Sequence, residues 1–353
     1  MTQTLPSGSP EHPAPGGSSA PVKAPPVALG TSRLRRVLRA LALVSCVPYL
    51  SLKIVWMAGS HLGIPDDSSL LDHRGAMVVA NGVTVLLDGT VIVLALLLTR
   101  PWGLRVPAWL LAFPMWVATG LLAPIMTGFP LQLLVRLLGG SASKASGTGH
   151  RPFLDEWVFG VVYTGFIVQG LTLGTLFLLY ARDRWGRLWR GRVGELPGMS
   201  VEPAHRAAAV AAAGLALFPL TMHVLWACGS TAALSSGRAA DRTGDFYALE
   251  AAYAVFVVAA VAGAWMLAFR RGPALPVKVP LALAWIGSGV LACWGGWLSL
   301  ASLGGVDDIA DRPTELMNLT YAGQMIVGLL VLALGAYFLA ERSGTPAPNG
   351  SAT

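Results

Sequence analysis

Charge is what this sequence has least of. Only 12% of its 353 residues are charged, while 54% are hydrophobic and the mean hydropathy is +0.61. A soluble domain carries about 25% charged residues. A chain this poor in charge cannot cover a soluble globule with polar side chains, so it reads as an integral membrane protein. Cysteine is scarce too. Cys46, Cys228 and Cys293 lie far apart in apolar runs, which excludes a disulfide framework and a CxxC metal pair. There is no Walker A, HExxH, GxSxG or Rossmann glycine pattern, so ATP-driven transport within this chain has no support. Histidine is sparse: His223 alone lies deep in an apolar run, while His61, His73, His150 and His205 fall at ends or in loops. A b-type haem between spans would want two facing histidines, so no cofactor is expected. Nothing in the chain supports nucleic-acid binding, although the pI is near 9.7.

What is there is a series of long apolar runs. A span needs about 20 apolar residues. Eight runs meet that length, at about 38–60, 76–99, 106–127, 156–181, 206–229, 246–269, 279–302 and 317–340. Orientation follows from the Lys and Arg of the connections. With both termini cytoplasmic, seventeen of the 25 Lys and Arg fall on the cytoplasmic side, seven fall outside and Lys53 lies within a span. The external loops carry acids instead: Asp66, Asp67 and Asp72 in the first, Asp307, Asp308 and Asp311 in the last. The basic pI is therefore largely a topology signal of a multi-pass cell-membrane protein. The Arg and Trp mix of RDRWGRLWRGR at 182–192 is expected to sit against anionic headgroups.

The chain divides accordingly. Residues 1–34 form a Pro/Ser/Gly-rich tail expected to be disordered. A first four-helix membrane unit covers 35–182, a basic cytoplasmic linker 183–204, a second four-helix unit 205–342, and a short disordered tail 343–353. LVSC at 43–46 imitates a lipoprotein cleavage site, but six residues between Arg39 and Cys46 are too few for a signal-peptide apolar region. A first span is the better reading. FPLQLLVRLL at 129–138 is too short to span and is expected to lie in the interface, followed by a flexible linker at 139–149.

The two halves repeat each other. SLKIVWMAGS at 51–60 returns as TMHVLWACGS at 221–230. Arg105-Val106-Pro107 returns as Lys278-Val279-Pro280, and WVATGLLA at 116–123 as WIGSGVLA at 285–292. Tyr163, Gly165, Gly170 and Leu171 match Tyr321, Gly323, Gly328 and Leu329 at identical spacing. Four matches in the same order indicate a tandem duplication. Because each unit holds an even number of spans, the copies run parallel, related by an axis along the membrane normal. The expected fold is all-α, with eight transmembrane helices in two tandem parallel four-helix repeats.

The repeat also singles out candidate functional residues. Helical positions separated by 4, 7 and 11 share a face. Tyr49, Lys53, Trp56 and Ser60 thus form a stripe whose counterpart is Pro219, His223, Trp226 and Ser230. Pro48 and Pro219 precede the basic residue in each copy, and matched helix interruptions in two halves point to binding sites in transporters. A charge in a span faces the bundle interior and takes a partner. For Lys53 the candidates are Asp88, Glu250 and Asn81. Lys53, Trp56, Asp88, His223, Trp226 and Glu250 are accordingly expected to line a polar cavity between the halves, open to the outside. Plainer readings stand beside each. Lys53 can snorkel to the interface, His223 can be a packing residue, and the two tryptophans can belong to an aromatic belt. Asp88 has the weakest plain explanation, since a mid-span carboxylate cannot snorkel far. The Gly pairs read best as close helix contacts.

With LKIVWMAGS, its Pro/Ser-rich tail and its alanine-, arginine- and glycine-rich composition, the chain resembles multi-pass membrane proteins of high-GC Gram-positive bacteria. The resemblance covers the helical part and carries no catalytic residues. Three classes of function remain open: a small-solute or proton-coupled permease, a non-catalytic membrane accessory protein, and a membrane-embedded enzyme. The expected partner is the lipid bilayer, with a small solute added on the permease reading.

Overall fold

A computed structural model of the chain describes residues 32–66, 68, 74–139, 154–196, 202–240, 242–303 and 312–344. Residues 1–31 and 345–353 of the expected tails and nearly all of the expected 139–149 linker lie outside these residues, while Arg33, Leu34, Ser343 and Gly344, expected in the tails, are helical. The described chain is all-helical. Eight helices are long and apolar enough to cross a membrane: α1 (Arg33–Met57), α2 (Arg74–Leu97), α3 (Ala108–Leu137), α4 (Glu156–Trp185), α5 (Glu202–Ala227), α7 (Gly244–Phe269), α8 (Lys278–Leu303) and α9 (Glu315–Gly344). Helix α6 (Ser236–Ala240) is a single short turn between α5 and α7. These match the eight runs read from the sequence.

One segment differs. FPLQLLVRLL does not leave the membrane helix to lie in the interface: α3 continues as one 30-residue helix through Pro124 and Pro130 to Leu137. At about 1.5 Å per residue it is roughly 45 Å long, longer than a hydrocarbon core of about 30 Å. Arg136 there reaches Asp245 at the start of α7, at 3.0 Å. That ion pair gives the polar end of α3 a partner.

The helices form for local reasons. Ser32 caps α1 by accepting the Arg35 N–H, and Thr243 caps α7 by accepting that of Phe246. Hydroxyls inside spans return to the carbonyl four residues back, as at Thr90, Thr119, Thr175 and Thr221. They therefore leave no polar group open to hydrocarbon. The outer faces are apolar, with Leu86 73% and Leu178 69% exposed, which is what lipid contact requires. Inside, the second half packs on small residues, among them Ala209, Ala212, Ala260, Ala264 and Ala284, which let backbones approach closely. The first half uses larger ones, including Leu98, Leu111, Met115 and Tyr180.

Within the first half α1 packs on α2 and α4; within the second α5 packs on α7 and α9. Helix α8 lies against α7 and α9, whereas α2 barely touches α3. The halves meet where α3 lies on α8 and α7. At that crossing Trp116 donates its indole N–H to Ser288 Oγ at 3.0 Å, and Trp285 donates to Thr119 Oγ1 at 3.3 Å. On the α1 end of the bundle, buried Arg35 pairs with Asp183 at the end of α4. Helix α1 runs unbroken through Cys46, and α1 and α5 stay helical through Pro48 and Pro219.

Candidate functional site

The repeated motif builds the same helix end twice. Gly59 and Gly229 take the left-handed backbone, at φ 98° and 91°, where a Cβ would cost about 1–2 kcal/mol. The next N–H groups, of Ser60 and Ser230, return to Val55 O at 3.1 Å and Leu225 O at 2.9 Å, closing the last turn. The two tryptophans complete it. Trp56 Nε1–H donates to Leu62 O at 2.7 Å, and Trp226 Nε1–H donates to Ala232 O at 2.9 Å. Ser60 and Ser230 accept the N–H of those same residues, at 3.3 and 3.2 Å. Trp, Gly and Ser therefore recur because together they turn the chain out of the membrane. Both tryptophans are buried.

The basic residue of each copy points to the neighbouring helix. Lys53 Nζ donates to Asn81 Oδ1 of α2 at 2.7 Å. Its ammonium also lies over the rings of Tyr49 and Trp56, at 4.8 and 5.0 Å from their centroids, so two aromatic faces replace lost water. In the second copy His223 Nδ1 lies 2.5 Å from Glu250 Oε2 of α7. The other ring nitrogen meets the Gln324 amide of α9. The ring stacks on Tyr253 at 5.3 Å and stands edge-on to Trp226 at 5.5 Å. With a proton on Nδ1, His223 donates to the carboxylate and accepts from Gln324. A second proton on the ring requires the Gln324 amide to turn its oxygen inward.

Asp88 lies two turns beyond Asn81 on the same face of α2. It is buried, 4% exposed. Gln169 Nε2 of α4 donates to its Oδ1 at 3.1 Å and also meets Cys46 Sγ at 3.1 Å. Asp88 Oδ2 is buried without a hydrogen-bond partner among the described residues.

The structure thus sorts the expected site residues into two clusters. Lys53 and Trp56 belong to α1 and Asp88 to α2; His223 and Trp226 belong to α5 and Glu250 to α7. Their contacts run within each half, and α1 and α5 make no substantial contact among the described residues. The hydrogen bond of Lys53 goes to Asn81, not to Asp88 or Glu250. Two residues of the clusters escaped the sequence reading, Gln169 and Gln324. Both are amides deep in apolar spans and fully buried. Their rarity in such a setting was the available signal. Among the described residues no group of three or more His, Cys, Asp or Glu could hold a metal ion.

The chain matches no protein-family model, no curated protein and no solved structure.

Proposed function

We propose that this integral membrane protein is a small-solute permease coupled to protons, built from two tandem four-helix repeats with both termini cytoplasmic. The observation that carries the reading is Asp88, a buried mid-span carboxylate with an unpartnered oxygen. The repeat explains why it stands out. Lys53 and His223 correspond, as do Asn81 and Glu250, and each pair joins two neighbouring helices. One layer deeper the correspondence ends. The positions matching Asp88, Gln169 and Cys46 are Val257, Val327 and Ala216, which pack together in one apolar core. The architecture closes with aliphatic residues at that layer, so packing does not demand a carboxylate there. A carboxylate in a span is costly and marks an ion or proton pathway.

Lys53, Trp56 and Asp88 are the working residues of the first repeat on this reading. His223, Trp226 and Glu250 are those of the second. Pro48 and Pro219 deprive the carbonyls of Val44 and Leu215 of their helical partners, which loosens each helix two turns or less from its basic residue. The test is reconstitution into liposomes holding a pH-sensitive dye, challenged with panels of small solutes under a pH step. Wild type is expected to move protons with at least one solute class, and Asp88→Asn to abolish that movement while folding normally. Lys53→Met with unchanged transport would count against a binding role for the stripe.

A second reading has its own observation. The four ionisable residues fall into two clusters rather than around one shared cavity, which favours a non-catalytic accessory protein. A wild type inert to every solute, yet retaining one partner protein through purification, would put that reading first.

A further inference from the structure

The segment joining the halves is folded onto the second half. Val193 N–H donates to Leu275 O at 2.9 Å, Gly194 N–H to Pro273 O at 3.1 Å, and Val277 N–H to Gly191 O at 3.1 Å. Val193 and Val277 are fully buried against Phe338 and Leu267. The Arg342 guanidinium donates to Arg190 O at 3.2 Å, tying the clip to the end of α9. This clip encloses a cleft of about 340 Å³ lined by Arg182, Trp189, Arg190, Gly191, Pro276 and Lys278.

Of the three cations lining the cleft, Arg182 has an acid partner and, among the described residues, two do not. Arg182 uses Nε on Asp183, at 3.1 Å, and Asp183 is also held by Arg35. Glu195 turns back to accept the Arg192 N–H at 2.9 Å. The side chains of Arg190 and Lys278 make no hydrogen bond or ion pair among the described residues. Both are exposed. Two unpaired cations of different shape therefore flank one pocket, beside a partly buried indole. An arginine fork and a lysine point charge together suit a phosphate group.

We propose that this cleft binds a phosphate group, supplied by a phospholipid headgroup or by a soluble phosphate. It lies where α4 ends and α8 begins, the level at which a headgroup would sit. The proposal is independent of transport, so an inert permease assay leaves it standing.

The test uses the full chain in neutral detergent and native mass spectrometry. The probes are phosphatidylglycerol, a diacylglycerol with the same acyl chains, and inorganic phosphate. Wild type is expected to retain phosphatidylglycerol in preference to diacylglycerol. Arg190→Gln/Lys278→Gln should weaken that binding roughly thirtyfold, as loss of two cations near an anionic group implies. Arg33→Gln/Arg36→Gln, which removes equal charge elsewhere on the same side, should leave it unchanged. Displacement by inorganic phosphate would assign the site to a soluble phosphate; resistance to it would assign the site to the lipid. Equal retention of the two lipids with no effect of phosphate overturns the proposal, as does equal loss in both double variants. Both substituted residues are exposed, and an unchanged elution profile confirms that the variants fold.

Discussion

Gly120 and Gly289 lie directly against each other where α3 crosses α8: a Cβ on Gly120 would come 2.3 Å from Gly289 O. On either side of this contact, Trp116 donates to Ser288 and Trp285 to Thr119. Each helix gives an indole N–H to the other, and α8 adds a second, from Trp294 to Leu121 O at 3.3 Å. In hydrocarbon, helices associate through close packing and interhelical hydrogen bonds rather than through water exclusion, and this crossing uses both.

Gly120→Val should therefore separate α3 from α8. We expect a loss of about 2 kcal/mol or more, as forced overpacking of a tight contact implies. Gly174→Ala is the control, since a Cβ there meets nothing within 4 Å, and it should be neutral or slightly stabilising. Thermal unfolding of the purified protein in one detergent checks both. Similar melting shifts for the two variants would show that the crossing does not hold the halves together.

The helix-end tryptophans should behave as structural donors. Trp56→Phe and Trp226→Phe keep the ring and remove the N–H, leaving the carbonyls of Leu62 and Ala232 without that donor. Each should cost about 1 kcal/mol. The loss should be local, as faster amide exchange at 58–64 or 228–234. A Trp variant with unchanged exchange and altered transport would instead make the indole a ligand contact.

Much of this arrangement is legible in the sequence because membrane helices are governed by simple rules. Long apolar runs and the distribution of Lys and Arg are local signals, and all eight spans follow from them. The partners of Lys53 and His223 were harder. Depth alone places Asn81 and Glu250 near the layer of the two bases and Asp88 deeper, but which acid or amide meets which base depends on how α1 and α5 are rotated about their axes. Composition does not encode that rotation. The extension of α3 was missed for a different reason: FPLQLLVRLL was taken by itself, and ten residues are too short to span. The segment instead continues the helix before it, and its Arg136 finds Asp245.

The Lys53–Asn81 and His223–Glu250 pairs make an exchange testable. If they occupy equivalent places, Asn81→Glu sets a carboxylate beside an ammonium that now has only a neutral acceptor at 2.7 Å. It should be tolerated, within about 1 kcal/mol of wild type, since the new charge arrives already paired. Glu250→Ala should cost about 3 kcal/mol or more, because it strips a buried partner from His223. The comparison is again thermal unfolding at fixed pH. Failure of Asn81→Glu to fold would mean that the two layers are not equivalent.

The sharpest separation of structure from function lies at Asp88. If the carboxylate were a packing element, Asp88→Val would destabilise the protein by the several kcal/mol that loss of a buried polar partner brings. Among the described residues, however, its oxygen Oδ2 has no hydrogen-bond partner, and only Gln169 donates to Oδ1. The single variant should therefore cost about 1–3 kcal/mol, the penalty of leaving the Gln169 amide without its acceptor. Asp88→Val/Gln169→Val removes that amide as well, and copies the valine pair that the second half carries at Val257 and Val327. It should melt at or above the wild-type temperature while losing all proton-linked transport. A double variant that is stable and fully active would remove Asp88 from the mechanism. One that fails to fold would mean that the two halves do not share a common packing at this layer, and the inferred duplication would fall with it.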